Sequence, residues 1–138
     1  MPTVPMSTIF GKLNLKAQLH LVILNAPSSF EPELAHLKGR TLHRALAAAP
    51  QIDFFLAFVT RKAEAEKLAP QLAKRAPGDP VLWFAYPKGT SKKYSCDFNR
   101  DTGWDALRAL GFDTVRAVAI DGDWSALRFR RAEFIKAK

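Results

Sequence analysis

The segment "PKGTSKKY", residues 87–94, gathers more chemistry into fewer residues than any other part of this 138-residue sequence. Lys88, Lys92 and Lys93 bring positive charge, Thr90 and Ser91 bring hydroxyls, and Gly89 leaves the backbone free to close around a ligand. Those residue types suit an anion. Their spacing is not that of a P-loop, which needs Gly-x4-Gly-Lys-Ser/Thr between a strand and a helix. A solvated basic loop would use the same residues without any ligand. A second candidate lies in "LVILNAPSSF", residues 21–30, where an apolar run breaks into a turn. Asn25, Ser28 and Ser29 can bond a ligand there, and the amides after Ser28 can face an anion at a helix start. Capping of that helix by Ser28 or Ser29 accounts for the same residues.

Other chemistries are poorly served. His20, His36 and His43 have no metal-ligand spacing, and no carboxylate or thiol is grouped with them, so no metal site is expected. Cys96 is followed by Asp97, whose charge disfavours a thiolate, and no histidine is near it in sequence. There is no Gly-x-Ser-x-Gly elbow. Asp53, Asp97, Asp101, Asp121 and Asp123 form no assignable acid–base pair, and several stand where caps and turns need them. No catalytic residue is assigned. Trp83 and Trp104 read as core. Trp124 is expected to show part of its ring beside Arg128 and Arg130, a candidate contact surface for a partner protein or a second copy of the chain.

To hold such residues in place, the chain must first make a core. A length of 138 fits one domain after a frayed tail at 1–6, and 48% apolar with 25% charged residues is an ordinary globular composition. A single cysteine excludes an internal disulfide and fits a reducing cytoplasm. The N-terminus lacks the pattern of a signal peptide, and no apolar run approaches a membrane span. The formal net charge of +8 admits nucleic acid as a partner, through Lys88, Lys92, Lys93, Arg128 and Arg130. The 21 Lys and Arg are dispersed, however, as solubility alone would leave them.

The periodicity predicts strands at 21–24, 52–60 and 81–87, each a largely continuous apolar run of the kind covered on both faces. Thr41 to Ala45 reads as a short strand. "FDTVRAVAID" and "WSALRFRR" form a closing hairpin around Asp121-Gly122, the latter alternating as expected near a sheet edge. Helices are expected after Ser7, from Ser28 or Ser29 to Gly39, from a Thr60 cap through "RKAEAEKLAPQLAKRAPG", and at about 101–110 before Gly111. Pro70 should kink or split the third of these. The order implies a single Rossmann-like three-layer α/β/α domain over 7–138, its sheet mostly parallel with a C-terminal antiparallel hairpin strand.

With "LHLVILNAP", "IDFFLAFV", "VLWFAYPK" and the terminal "RAVAID-GD-WSALRF", the layout resembles a trimmed class I methyltransferase fold over roughly residues 15–132. More closely, "LNAP", "LWFAYPK" and "DWSALRFRR" are similar to a bacterial family of short proteins known as a domain of unknown function. The methyltransferase resemblance implies S-adenosylmethionine as cofactor, held by an acidic residue and Gly-x-Gly after the first strand and by a carboxylate after the second. Here those places read Leu24-Asn25-Ala26-Pro27-Ser28 and "TLHRALAAAP", and Val59-Thr60-Arg61-Lys62 replaces the catalytic Asn/Asp-Pro-Pro-aromatic pattern. The reading is therefore a non-catalytic domain that binds a protein partner or a small anionic ligand, with no cofactor. A divergent S-adenosylmethionine-dependent enzyme and a basic nucleic-acid binder are the alternatives.

Overall fold

In a computed structural model, the residues described are 10, 12–13, 15, 18–28, 30–34, 40–45, 52–76, 78–96 and 104–135. Four apolar runs become strands: β1 (His20–Leu24), β2 (Thr41–His43), β3 (Phe54–Phe58) and β4 (Val81–Pro87). The hairpin supplies β5 (Phe112–Ala119) and β6 (Trp124–Arg131). Between and after them lie α1 (Glu31–Leu34), α2 (Lys62–Arg75), α3 (Asp105–Ala109) and α4 (Ala132–Ile135). The six strands form one sheet in the order β2-β1-β3-β4-β6-β5. Strands β2, β1, β3 and β4 are parallel, with Leu21 opposite Phe54 and Phe54 opposite Val81. β6 runs antiparallel to both β4 and β5.

Alternation along each strand divides the core between the two faces of the sheet. Val22, Phe55, Phe84, Leu127 and Phe129 point to one face, where Ala65, Ala69 and Leu72 of α2 and Trp104 and Leu107 cover them. Leu21, Phe54, Phe58, Trp83 and Trp124 point to the other, against Phe10, Leu13, Phe30 and Leu34. Every residue of β3 and β4 is buried, as strands covered on both faces must be. Trp83 fastens the N-terminal cover by donating from Nε1 to the Leu13 carbonyl at 2.8 Å. Beside it, Phe10, Phe30, Phe58, Trp124 and Tyr94 make successive ring contacts with centroids 4.8–5.7 Å apart. This aromatic row crosses toward the carboxyl ends of the central strands.

Local details depart from expectation at three places. α2 continues from Lys62 to Arg75 through Pro70, neither ended nor divided there. The proline stands on the exposed side, while the buried stripe of Ala65, Ala69 and Leu72 packs the helix against the sheet. The start of α2 is organised by Glu64 rather than Thr60: its Oε1 accepts the amides of Thr60 (2.7 Å) and Arg61 (3.1 Å). The edge strand is β5, and β6 lies one place in, so the proposed C-terminal edge is not where "WSALRFRR" runs. β5 carries a bulge between Thr114 and Arg116 and a charged side chain at Arg116, both of which discourage another strand from adding. Gly78 (φ +82°) and Gly111 (φ +94°) end α2 and α3 in the left-handed conformation that favours glycine. Ser7, Gly11, Ser29, Gly39, the alanines at 47–49 and residues 101–103 lie outside the described residues.

Candidate functional site

The chain runs from β1 out to β2 and then back past β1 to β3, so the direction of winding reverses between β1 and β3. In open α/β sheets the crevice beyond the strand carboxyl ends at such a reversal is where ligands bind. In this chain the Asn25 side chain reaches across from β1 to β3. Asn25, directly after β1, adopts φ +58°, a conformation non-glycine residues other than Asn and Asp seldom use. Its Nδ2 donates to the Phe58 carbonyl at the end of β3, at 3.4 Å. The following turn is closed by Phe30 N–H to the Pro27 carbonyl (2.8 Å) and Glu31 N–H to the Ser28 carbonyl (3.3 Å). Ser28 thus uses its carbonyl, and its side chain is exposed.

One strand along, the carboxyl ends of β3 and β4 open into a cleft of about 390 Å³, lined by Thr60, Arg61, Lys93, Tyr94, Ser95 and Cys96. Thr60 and Arg61 arrive on the turn before α2, and the other four on the loop after β4. That loop is held in shape by Ser91. Its Oγ donates to Asp123 Oδ1 (2.9 Å) and accepts the amides of Lys93 (3.2 Å) and Tyr94 (3.1 Å). A further bond, Lys88 N–H to the Asp123 carbonyl (2.8 Å), ties the loop to the hairpin turn. Tyr94 then rests on Trp124 with ring centroids 4.8 Å apart. Two cations and three hydroxyls line the cleft, with no carboxylate among the six side chains. The positive end of the α2 dipole is met by Glu64, and the charged side chains among the described lining residues are Arg61 and Lys93.

The candidate residues are therefore distributed among different tasks. Lys93 lines the cleft and Ser91 supports it, while Thr90 and Lys92 are exposed and Lys88 is half-buried. Asn25 and Ser28 belong to the neighbouring β1 turn. Arg128 lies opposite Trp83 and Arg130 beyond it, so Lys88 is about 16 Å further along β4 at ~3.3 Å per residue. The basic loop and the two arginines do not form one surface. Trp124 is a correction: it is only 3% exposed, so it cannot present a ring to a partner. The hairpin turn places it under Tyr94 and edge-on to Phe58, 5.1 Å away. Arg61, Thr60, Tyr94, Ser95 and Cys96 were not singled out as ligand contacts from sequence. Their signal was positional: Thr60 to Lys62 and Pro87 to Lys93 both follow strands whose carboxyl ends adjoin.

Among the described residues, no group of three or more His, Cys, Asp and Glu side chains is arranged to hold a metal ion. None of their helices is long and apolar enough to cross a membrane.

No family model matches the chain, and no curated protein does. Solved structures do. A SAM-dependent methyltransferase from Aquifex aeolicus superposes with a TM-score of 0.65 at 10% identity, covering 91% of this chain and 88% of that one. The N-methyltransferase NodS from Bradyrhizobium japonicum, in complex with S-adenosyl-L-homocysteine, matches with a TM-score of 0.56 at 15% identity over 92% of this chain and 85% of that one. Magnesium protoporphyrin IX methyltransferase from Synechocystis, with bound SAM, matches at 0.55 and 13% identity over 92% and 76%. The chain has the fold of the SAM-dependent methyltransferases: a mostly parallel six-stranded sheet with antiparallel strands at one side. At these identities the likeness is one of fold, and activity has to be argued from the site.

The places that the methyltransferase resemblance assigns to the cofactor do not fit it here. Asn25 fills the β1 turn and spans to Phe58 where bare backbone would be required. After β2 stands Arg44, held by Glu31 through bonds of 2.8 and 3.1 Å, in place of a free carboxylate for ribose hydroxyls. Burial is not the cause of the Glu31 shift: the Arg44 hydrogen bond holds its carboxyl below the usual range.

Proposed function

We propose that this chain is a methyltransferase-like protein that binds a small anion, carrying phosphate or carboxylate, in the cleft between the start of α2 and the loop after β4. The lining carries this reading: Arg61 and Lys93 share a cleft with the hydroxyl-bearing Thr60, Tyr94 and Ser95, and no carboxylate is among its described lining residues. A guanidinium and an ammonium in one concavity attract an oxyanion and repel a sulfonium such as that of S-adenosylmethionine. Ser91, although not in the lining, sets the position of Lys93 and Tyr94 through their amides.

A second reading, methyl transfer from S-adenosylmethionine, is favoured by neighbours solved with that cofactor or its product bound. The fold supports it better than it supports an inert scaffold. The turn after β1 counts against it.

Thermal unfolding with inorganic phosphate and with adenosine 5′-monophosphate tests the proposal. A ligand at ~100 times its Kd adds about 2.7 kcal/mol, several degrees for a chain of this size. The shift is expected in the wild type and lost in Arg61→Gln and Lys93→Gln. A shift retained in both variants would place the anion elsewhere and reject the cleft.

A further inference from the structure

The β5–β6 hairpin carries a second concentration of positive charge, at the far end of β4 from the cleft. Arg128 of β6 lies directly opposite Arg116 of β5. Arg130 follows two residues along, on the same face, a repeat of about 6.7 Å. Arg130 is held by the Asp79 carboxylate, with Nε bonds of 3.0 and 3.2 Å and an Nη2 bond of 2.7 Å. Asp113, opposite Arg130 in the register, directs its Oδ1 to the Thr114 amide (2.8 Å) and to Arg108 (3.5 Å). Arg128 is different. It is half-buried, and its Nε is buried without a hydrogen-bond partner. Burial lowers its pKa, Arg130 and Arg116 add to that, and Asp79 opposes it.

A guanidinium stripped of water at one nitrogen and set beside like charges is unfavourable in the isolated chain. An oxyanion laid along these arginines would give its remaining donors an acceptor and screen it from Arg116 and Arg130. We propose that Arg116, Arg128 and Arg130 form a strip that binds the phosphate backbone of a nucleic acid. Guanidinium forks match phosphate oxygens in pairs, and a repeat along a strand suits a repeating anion better than a single small one. The net charge of +8 favours the same partner. A lipid surface is less well matched: the large exposed apolar side chains among the described residues are Leu19 and Leu110, neither within the hairpin strands. Among the described residues no aromatic side chain beside the arginines is fully exposed for bases to stack on, so contact is with the backbone and indifferent to sequence. This strip is independent of the cleft and of its ligand.

Fluorescence anisotropy with a short labelled DNA duplex, between about 50 and 200 mM salt, reads the interaction. Affinity is expected to fall steeply with salt. Arg128→Gln and Arg116→Gln should each weaken binding and reduce the slope of log K against log salt by about one. Arg116→Lys, at an exposed position, keeps the charge and the fold; it should preserve the slope and weaken binding modestly. Lys67→Gln, on the exposed side of α2 and outside both the cleft and the strip, should change nothing. Melting curves identify any variant that is merely unfolded. Three results would overturn the strip: no binding at the lowest salt, binding unchanged in the folded arginine variants, or binding lost in Lys67→Gln. Tighter association with anionic vesicles or an acidic peptide than with the duplex would also reject it.

Discussion

Asn25 donates a hydrogen bond to the carbonyl of Phe58 at 3.4 Å, joining the turn after β1 to the end of β3 across the reversal point of the sheet. The crevice that this fold leaves for a ligand is bridged by the protein itself. The left-handed backbone at Asn25 and its side-chain bond are two separable contributions, and substitution distinguishes them. Asn25→Ala loses the bond and keeps an unfavourable φ, and should cost about 1–2 kcal/mol. Asn25→Gly loses the bond but relieves the backbone, and should cost less. Urea denaturation of both variants measures the order, which reverses if the bond and the conformation are unimportant.

Ser91→Ala removes one donor and one acceptor that serves two amides, and is expected to destabilise by about 1–3 kcal/mol. Hydrogen exchange at Lys93 and Tyr94 should accelerate more than at β4. Phosphate binding in the cleft should weaken although Ser91 does not line it.

Arg131 caps the end of α2 from another element. Its guanidinium donates to the carbonyls of Ala73 (3.2 Å), Ala76 (2.7 Å) and Gly78 (2.6 Å) and lies 4.9 Å from the Phe112 ring centroid. Arg131→Ala should lower stability by about 2–3 kcal/mol, and Arg131→Lys by less, because an ammonium keeps the charge and a donor although it cannot span all three carbonyls. Faster exchange confined to the last turn of α2 would identify the cause.

Glu31 predicts a small dependence on pH. Arg44 lowers its folded pKa below the unfolded value of about 4.3. The stabilisation is therefore fully present above about pH 4.3 and is lost as the pH falls through the lower folded value. The pair is exposed, so the effect is small. Urea midpoints for wild type and Glu31→Gln should converge as the medium becomes more acidic; parallel curves would remove Glu31 from the account.

Much of the fold is legible in the residues themselves. Continuous apolar runs such as Phe54–Phe58 announce strands covered on both faces, and Gly78 and Gly111 mark helix ends because they alone take positive φ cheaply. The alternation in "WSALRFRR" correctly separates Leu127 and Phe129 from Arg128 and Arg130. Alternation cannot say which hairpin strand is outermost, since that depends on which one pairs with β4. Nor does it bury Trp124: that follows from Tyr94, thirty residues away in sequence, folding over it. The cleft was half legible. "PKGTSKKY" announced the cation at Lys93, but Arg61 joins it only because β3 and β4 are parallel neighbours.

The central claim is that the site accepts an anion and not the sulfonium cofactor typical of its fold. Isothermal titration of adenosine 5′-monophosphate and of S-adenosylmethionine into the same preparation tests it most directly. The account predicts binding of the nucleotide, abolished by Arg61→Gln, and no heat from S-adenosylmethionine. Saturable binding of S-adenosylmethionine that is lost when Asn25 or Ser28 is substituted would contradict it and make the turn after β1 the working site.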